Sequence, residues 1–434
     1  MKNRIYFIAL LSLLTGCKLS TRQTENTTDI INHSQRVPKG MKLVWNDEFN
    51  DTVLDHTKWY TNYYSTLDYY YRTNYDDFSS NNLPQPAMEF TGNSIILKTN
   101  DQVPERVFWE SGRKISSIQT YDWEKNQNLM DNRIGGYFEA RIRRSATKDA
   151  EMANSAFWFD SPGPDLRYYV EKGNQACEVE GIRPRGQVFE IDLCEYITTE
   201  IVLHGNVSPS GKFEGNIGHF IIPGEYNNEW TTHGMLWSPA GLKFYVNDKL
   251  VAESWDPHDI KSPNHTMNMF FGAYGKGGEV TMEVDYVRYY QWELNEENKL
   301  PNSGFEYHTE LFPWEGTGVV TPEAAYSGKY GVSLSPNNTI HQYVYLDHTE
   351  NYSLQFYARG KSGVIAKVEN ITQVNGKSEN EFLGEMTLSE EYQKYEFPFS
   401  TNPEYKDHLR TVKISFTNGS ASPVSLDDIE IIKI

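Results

Sequence analysis

The chain reads as all-β: a β-sandwich followed by a second, smaller β-sandwich. Three observations predict this. Aromatic residues make up 14% of the 434 positions, short segments of alternating polarity bounded by Gly, Asn, Asp and Pro recur throughout, and helical apolar stripes are scarce.

The elements justify that reading in chain order. Lys2 and Arg4 precede an apolar run over residues 5–14, which ends in Leu14-Thr15-Gly16-Cys17. The run is too short to span a bilayer and reads as a secretory signal with a lipobox. Residues 1–16 are expected to be removed and Cys17 lipidated, with residues 17–39, rich in Ser, Thr and Asn, as a tether. The expected address is therefore the cell envelope, on the periplasmic or surface face of an outer membrane.

In GGYFEARIRR (135–144), Phe138, Ala140 and Ile142 share one face while Tyr137, Glu139, Arg141 and Arg143 share the other. One face is core and the other meets solvent or a cleft. KFYVNDKLV (243–251) sets Asn247-Asp248 between two apolar runs, the chemistry of a tight hairpin turn. Nine of the ten Trp residues lie at or before Trp292, and only Trp314 lies beyond it. The charged, turn-rich segment 293–304 therefore marks a boundary, giving domains at 40–292 and 298–434. The second alternates again in TIHQYVYL (339–346) and YSLQFYARG (352–360).

A net charge of −19 argues against nucleic acid, which needs clustered Lys and Arg. It also weighs, more weakly, against a polyanionic ligand, since a local basic patch can sit on an acidic protein. With Cys17 committed to lipid, Cys177 and Cys194 remain, either as a pair in an oxidising envelope or as two buried thiols.

The segment that carries chemistry is VFEIDLCEY (188–196). In a regular strand Glu190 and Asp192 share a face and Glu195 falls on the other; a one-residue β-bulge near Leu193 or Cys194 returns Glu195 to their side. Three acids crowded on one face force their proton affinities apart. Glycoside hydrolysis needs such an arrangement, with one carboxylate as nucleophile and one protonated acid.

EIDLCE resembles the bulged signature of glycoside hydrolase family 16, and further segments similar to that family occur in its order. LVWNDEFN (43–50) resembles the opening strand, SSIQT (116–120) and GGYFEARIR (135–143) the approach strands, and SAFWF (155–159) the strand before the catalytic one. WTTHGMLWSPAGLKFYVNDKLV (230–251) and MEVDYVRYYQ (282–291) resemble the closing strands. The resemblance implies a jelly-roll β-sandwich with an open cleft and an endo-acting, retaining hydrolase of a β-linked polysaccharide, with Glu190 as nucleophile, Glu195 as general acid and base, and Asp192 tuning the nucleophile. No cofactor is implied for catalysis.

Two departures bear on substrate. A long insertion occupies 160–189, and no Trp stands just before the motif, where glucan-cutting members often carry one. Arg183 and Arg185 in the insertion could hold sulfate or lie solvated. A galactan-type polymer, with or without sulfate, is favoured slightly over a β-1,3-glucan; the rival from another class is a surface glycan-binding lipoprotein without activity.

Trp158, Trp109 and Trp123 are candidate sugar platforms, and the Tyr-rich stretch 61–78 a candidate cleft edge. The resemblance also implies a structural calcium held by Glu48 and Asp285. The tail resembles carbohydrate-binding modules, with Trp314, Tyr343 and Tyr345 as candidate glycan contacts. A monomer is expected.

Overall fold

The computed structural model describes residues 36–434 except 62, 64–84, 104–106, 109–112, 123–126, 162–187, 208–212, 295–296, 308–309, 362, 373–375 and 405–407. The expectations for Cys17 and the signal, for Trp109 and Trp123, and for Cys177, Arg183 and Arg185 lie outside the described residues.

Two antiparallel sheets face each other across the first core. The cleft sheet runs in the order Phe213–Ile222, Thr199–Val207, Glu190–Glu195, Glu151–Asp160, Asn268–Lys276, Arg113–Gln119 and Val107–Phe108. The backing sheet is built on Gly136–Ala146 and the long strand Val280–Trp292, which also pairs with Met41–Asp47. Phe138, Ala140 and Ile142 point inward as the alternation predicts, and meet Phe157, Phe159, Ile191 and Leu193 from the cleft sheet. Phe138 stacks on Tyr289 at 4.2 Å between ring centroids. The opposite face is less open than the pattern implies. Tyr137 and Glu139 are buried there, and Glu139 accepts hydrogen bonds from the hydroxyls of Tyr137 at 3.2 Å and Tyr286 at 2.8 Å.

Local chemistry fixes the turns. Asn247 and Asp248 adopt φ of 46° and 62° between Gly241–Val246 and Lys249–Ser254, the double left-handed geometry of a tight hairpin. At Gly136, φ is 141° and a Cβ would lie 2.2 Å from the Tyr290 carbonyl oxygen, so only glycine lets these two strands approach.

Residues beyond 298 form two five-stranded sheets over a separate apolar core that includes Trp314, Phe356 and Phe416. One sheet orders Glu315–Gly316, Thr339–Leu346, Arg410–Asn418, Gly363–Ile371 and Ser378–Thr387; the other orders Val319–Thr321, Gly331–Leu334, Val424–Lys433, Asn351–Arg359 and Gln393–Ser400. The outer face of the first of these sheets is pressed against the preceding sandwich. Trp237 Nε1 donates to the Tyr345 hydroxyl at 3.2 Å, which itself donates to the Pro263 carbonyl, and Tyr343 packs with Ala240 and Ile260. The three aromatic residues expected to touch glycan are therefore buried: Trp314 fills the core, while Tyr343 and Tyr345 hold the two sandwiches together.

Candidate active site

The strand Glu190–Glu195 carries the anticipated bulge. Against Glu151–Asp160, Asp192 opposes Trp158 and Cys194 opposes Phe157, so two steps on one strand match one on the other. Against Thr199–Val207, Asp192 opposes Val202 and Glu195 opposes Glu200, again with one residue extra. The surplus residue is Leu193, whose side chain stays in the core with Ile191 and Cys194. Glu190, Asp192 and Glu195 consequently line one cavity of about 320 Å³. Cys194 is a buried free thiol, and burial raises its proton affinity.

Each acid has its own surroundings. Asp192 is only 3% exposed, and its Oδ2 lies 3.2 Å from His204 Nε2, which in turn is 3.9 Å from Glu190 Oε2. Glu195 Oε1 accepts from Asn154 Nδ2 at 2.8 Å and from the Tyr274 hydroxyl at 3.3 Å. Burial, and after it the negative charges of Asp192 and Glu190, push the Glu195 carboxyl up to about 8, against a smaller downward pull from Asn154. Glu195 therefore holds its proton more tightly than an ordinary carboxyl, in the company of Asp192 and Glu190. Arg113, His219 and Asn216 add polar groups to the walls.

The turn that follows is pinned from inside the protein. Arg144, 2% exposed, donates to the carbonyls of Tyr196, Thr198 (3.2 Å) and Ser155 (3.2 Å) and to the Thr199 hydroxyl (2.7 Å). Among the described residues no carboxylate pairs with it. Asn154 Oδ1 also accepts the Tyr196 N–H, which helps hold Tyr196 at φ 60°. Buried His233 lies beside the Leu193 backbone; burial first, then the Arg144 charge, keeps it well below its usual range and hence neutral.

His204, Asn154, Tyr274 and Arg144 were not singled out from sequence. His204 had a readable signal: if EIDLCEY and TEIVLH form one hairpin, counting back from its turn and allowing for the one surplus residue of the bulge sets His204 opposite Glu190, as observed. Asn154 and Tyr274 approach from strands whose register the sequence does not announce.

Two expectations are corrected. Trp158 lines the cavity but is 3% exposed, because its face stacks on Phe270 at 4.8 Å and its edge meets Tyr63. It is floor rather than platform. Tyr63, from the Tyr-rich stretch, does reach the cavity wall. Glu48 and Asp285 do not offer a calcium site: Glu48 is held bidentately by Arg288 at 2.9 and 2.8 Å, and Asp285 is bound by Arg141. A hard cation that needs six to eight oxygens does not fit carboxylates already neutralised by guanidinium. Among the described residues the only cluster of three ligand-type side chains is Glu190, Asp192 and His204.

No family model matches the chain. The keratan-sulfate endo-1,4-β-galactosidase of Sphingobacterium multivorum is 23% identical over 366 residues, covering 76% of this chain and 76% of that protein. The glucan endo-1,3-β-glucosidase A1 of Niallia circulans is 24% identical over 288 residues, covering 58% of this chain. That alignment spans 38% of the glucosidase, well under half its length. Among solved structures, the GlcNAcα1-4Gal-releasing endo-β-galactosidase of Clostridium perfringens is similar at a TM-score of 0.43 and 17% identity, over 72% of this chain and 79% of that one.

Proposed function

We propose that this chain is a retaining, endo-acting glycoside hydrolase of the family 16 type that cuts a β-linked, galactose-containing polysaccharide. The observation that carries the reading is geometric: the bulge brings Glu190, Asp192 and Glu195 to the wall of one cavity, where burial and the neighbouring negative charges raise the proton affinity of Glu195. Glu190 acts as the nucleophile on the anomeric carbon. Glu195 donates its proton to the departing sugar oxygen and then, as base, activates the water that releases the covalent intermediate. Asp192, tied to His204, orients the nucleophile and keeps the proton on Glu195.

The substrate class rests on coverage: the relative aligned along 76% of both chains is named as a galactosidase, whereas the glucan-cutting relative aligns over 38% of its length. The lipobox ending in Cys17 supports anchorage of the enzyme in the cell envelope.

Incubating the purified chain with keratan sulfate, plain and sulfated galactans, and β-1,3-glucan, and looking for released oligosaccharides, tests the activity. Release from none of them overturns the reading in favour of a glycan-binding protein. External azide tests the roles. On an activated aryl glycoside, Glu195→Ala should yield the β-glycosyl azide and Glu190→Ala the inverted α product, because azide replaces the nucleophile from the opposite face. The reverse stereochemistry would show the assignments to be exchanged.

A further inference from the structure

The second sandwich keeps one sheet face covered by its neighbour and leaves the other open, and on that open side stands an aromatic cluster that nothing in the core requires. Tyr326 is 46% exposed and stacks on Tyr357 at 3.7 Å and 11°. Tyr392 leans against Tyr326 at 5.4 Å, with the Arg359 guanidinium 4.8 Å from its ring.

The turn that presents Tyr326 is fixed from several directions. Asp427 Oδ2 accepts the N–H groups of Tyr326 at 2.7 Å and Ser327 at 3.0 Å, and Glu306 Oε1 accepts those of Lys329 at 2.7 Å and Tyr330 at 3.0 Å. Arg359 Nη2 donates to the Glu323 carbonyl and the Tyr392 hydroxyl to that of Ala324, each at 2.5 Å. An exposed ring on a loose turn would cost ordering entropy on binding; a ring locked in place does not. An exposed, flat aromatic face matches the C–H face of a pyranose ring.

We propose that Tyr326, stacked on Tyr357 and flanked by Tyr392 and Arg359, is a glycan-binding platform that takes sugar rings of a β-linked polysaccharide away from the catalytic cavity. The platform rests on the proposed activity only for the identity of the polymer. It holds a long chain to the enzyme while the cavity cuts elsewhere along it.

The test uses the full chain carrying Glu190→Gln, so that polymer survives, in affinity electrophoresis through gels containing keratan sulfate, an unsulfated galactan or laminarin. Hydrolysis of the same polymers by the unsubstituted chain is scored separately, so failure of the activity and failure of the platform are read apart. Adding Tyr326→Ala or Tyr357→Ala should weaken retention about tenfold, whereas Tyr326→Phe, which keeps the ring, should stay within about twofold. Thermal melting identifies a variant that has simply unfolded; if Tyr357→Ala does so, Tyr326→Ala at the exposed turn decides. Unchanged retention in a folded Tyr326→Ala, retention of the Glu190→Gln chain by none of the polymers, or a loss of self-association in place of a loss of polymer binding would each overturn the platform.

Discussion

In the proposed mechanism Glu195 must hold a proton before bond cleavage and give it up afterwards, and its surroundings supply a reason for both. Burial is the larger cause of its raised affinity, and the charges of Asp192 and Glu190 add to it. Once Glu190 is esterified in the covalent intermediate its charge is gone, so one of the raising causes disappears and Glu195 becomes a better base at the moment a base is needed. The acid is active when protonated, so kcat/KM should fall as pH rises through about 8. Asn154 pulls the other way through its hydrogen bond to the ionised carboxylate. Asn154→Ala should therefore move the basic limb of the pH profile to higher pH. A limb that stays in place, or moves down, would falsify the claim that this hydrogen bond is felt in the free enzyme.

At the scale of the element, the bulge was legible because the spacing of three acids makes sense on one strand only if one residue is surplus. The alternation in 135–144 likewise announced which side of that strand is core. What was not legible is whatever depends on the register between strands distant in sequence. Glu48 and Asp285 were expected to hold calcium because the family resemblance implies it, and their arginine partners, Arg288 and Arg141, could not be aligned with them from the sequence. Trp158 looked like a platform because nothing in the sequence placed Phe270 beneath it. Arg144 is a further case, a buried cation spent on backbone oxygens rather than on an acid, which is costly unless those oxygens must be held. Its partners lie next to Glu195 in the fold, so in the proposed mechanism it is a positioning residue. Arg144→Met should lower kcat on the order of 100-fold with little change in KM, since a displacement of about 1 Å at a reacting group can cost that much. Arg144→Lys, which restores some of the donors, should recover part of the loss. If KM rises in step with an unchanged kcat, the turn holds itself and Arg144 serves stability alone.

At the scale of the whole molecule, the two sandwiches are joined through polar groups taken out of water, so the junction has its own dependence on pH. Asn264 Nδ2 donates to the Leu409 carbonyl at 2.7 Å, Leu409 N–H donates to the Asn264 carbonyl at 2.7 Å, and Asn264 Oδ1 lies 2.7 Å from His408 Nδ1. The His408 ring packs on His265 at 4.5 Å, and His265 Nε2 is 3.0 Å from the Ser161 hydroxyl, one residue beyond the strand that flanks Glu190. Burial is the main cause that lowers both histidines: His408 falls to about 4, and His265 lies well below its usual range, with the His408 charge as a second cause. In the unfolded chain both would titrate near their ordinary value of about 6.5. Between about 6.5 and 4 the unfolded state therefore binds more protons than the folded one, and stability must fall as pH is lowered through that window. Above it, neither histidine is charged in either state and the term vanishes. Thermal melting from pH 8 to pH 4 should show the midpoint falling below pH 6.5, and His408→Gln, which can still meet Asn264 but cannot be protonated, should flatten that acid slope. An identical slope in the variant would mean that the acid sensitivity arises elsewhere, with the carboxylates of the cavity the next place to look.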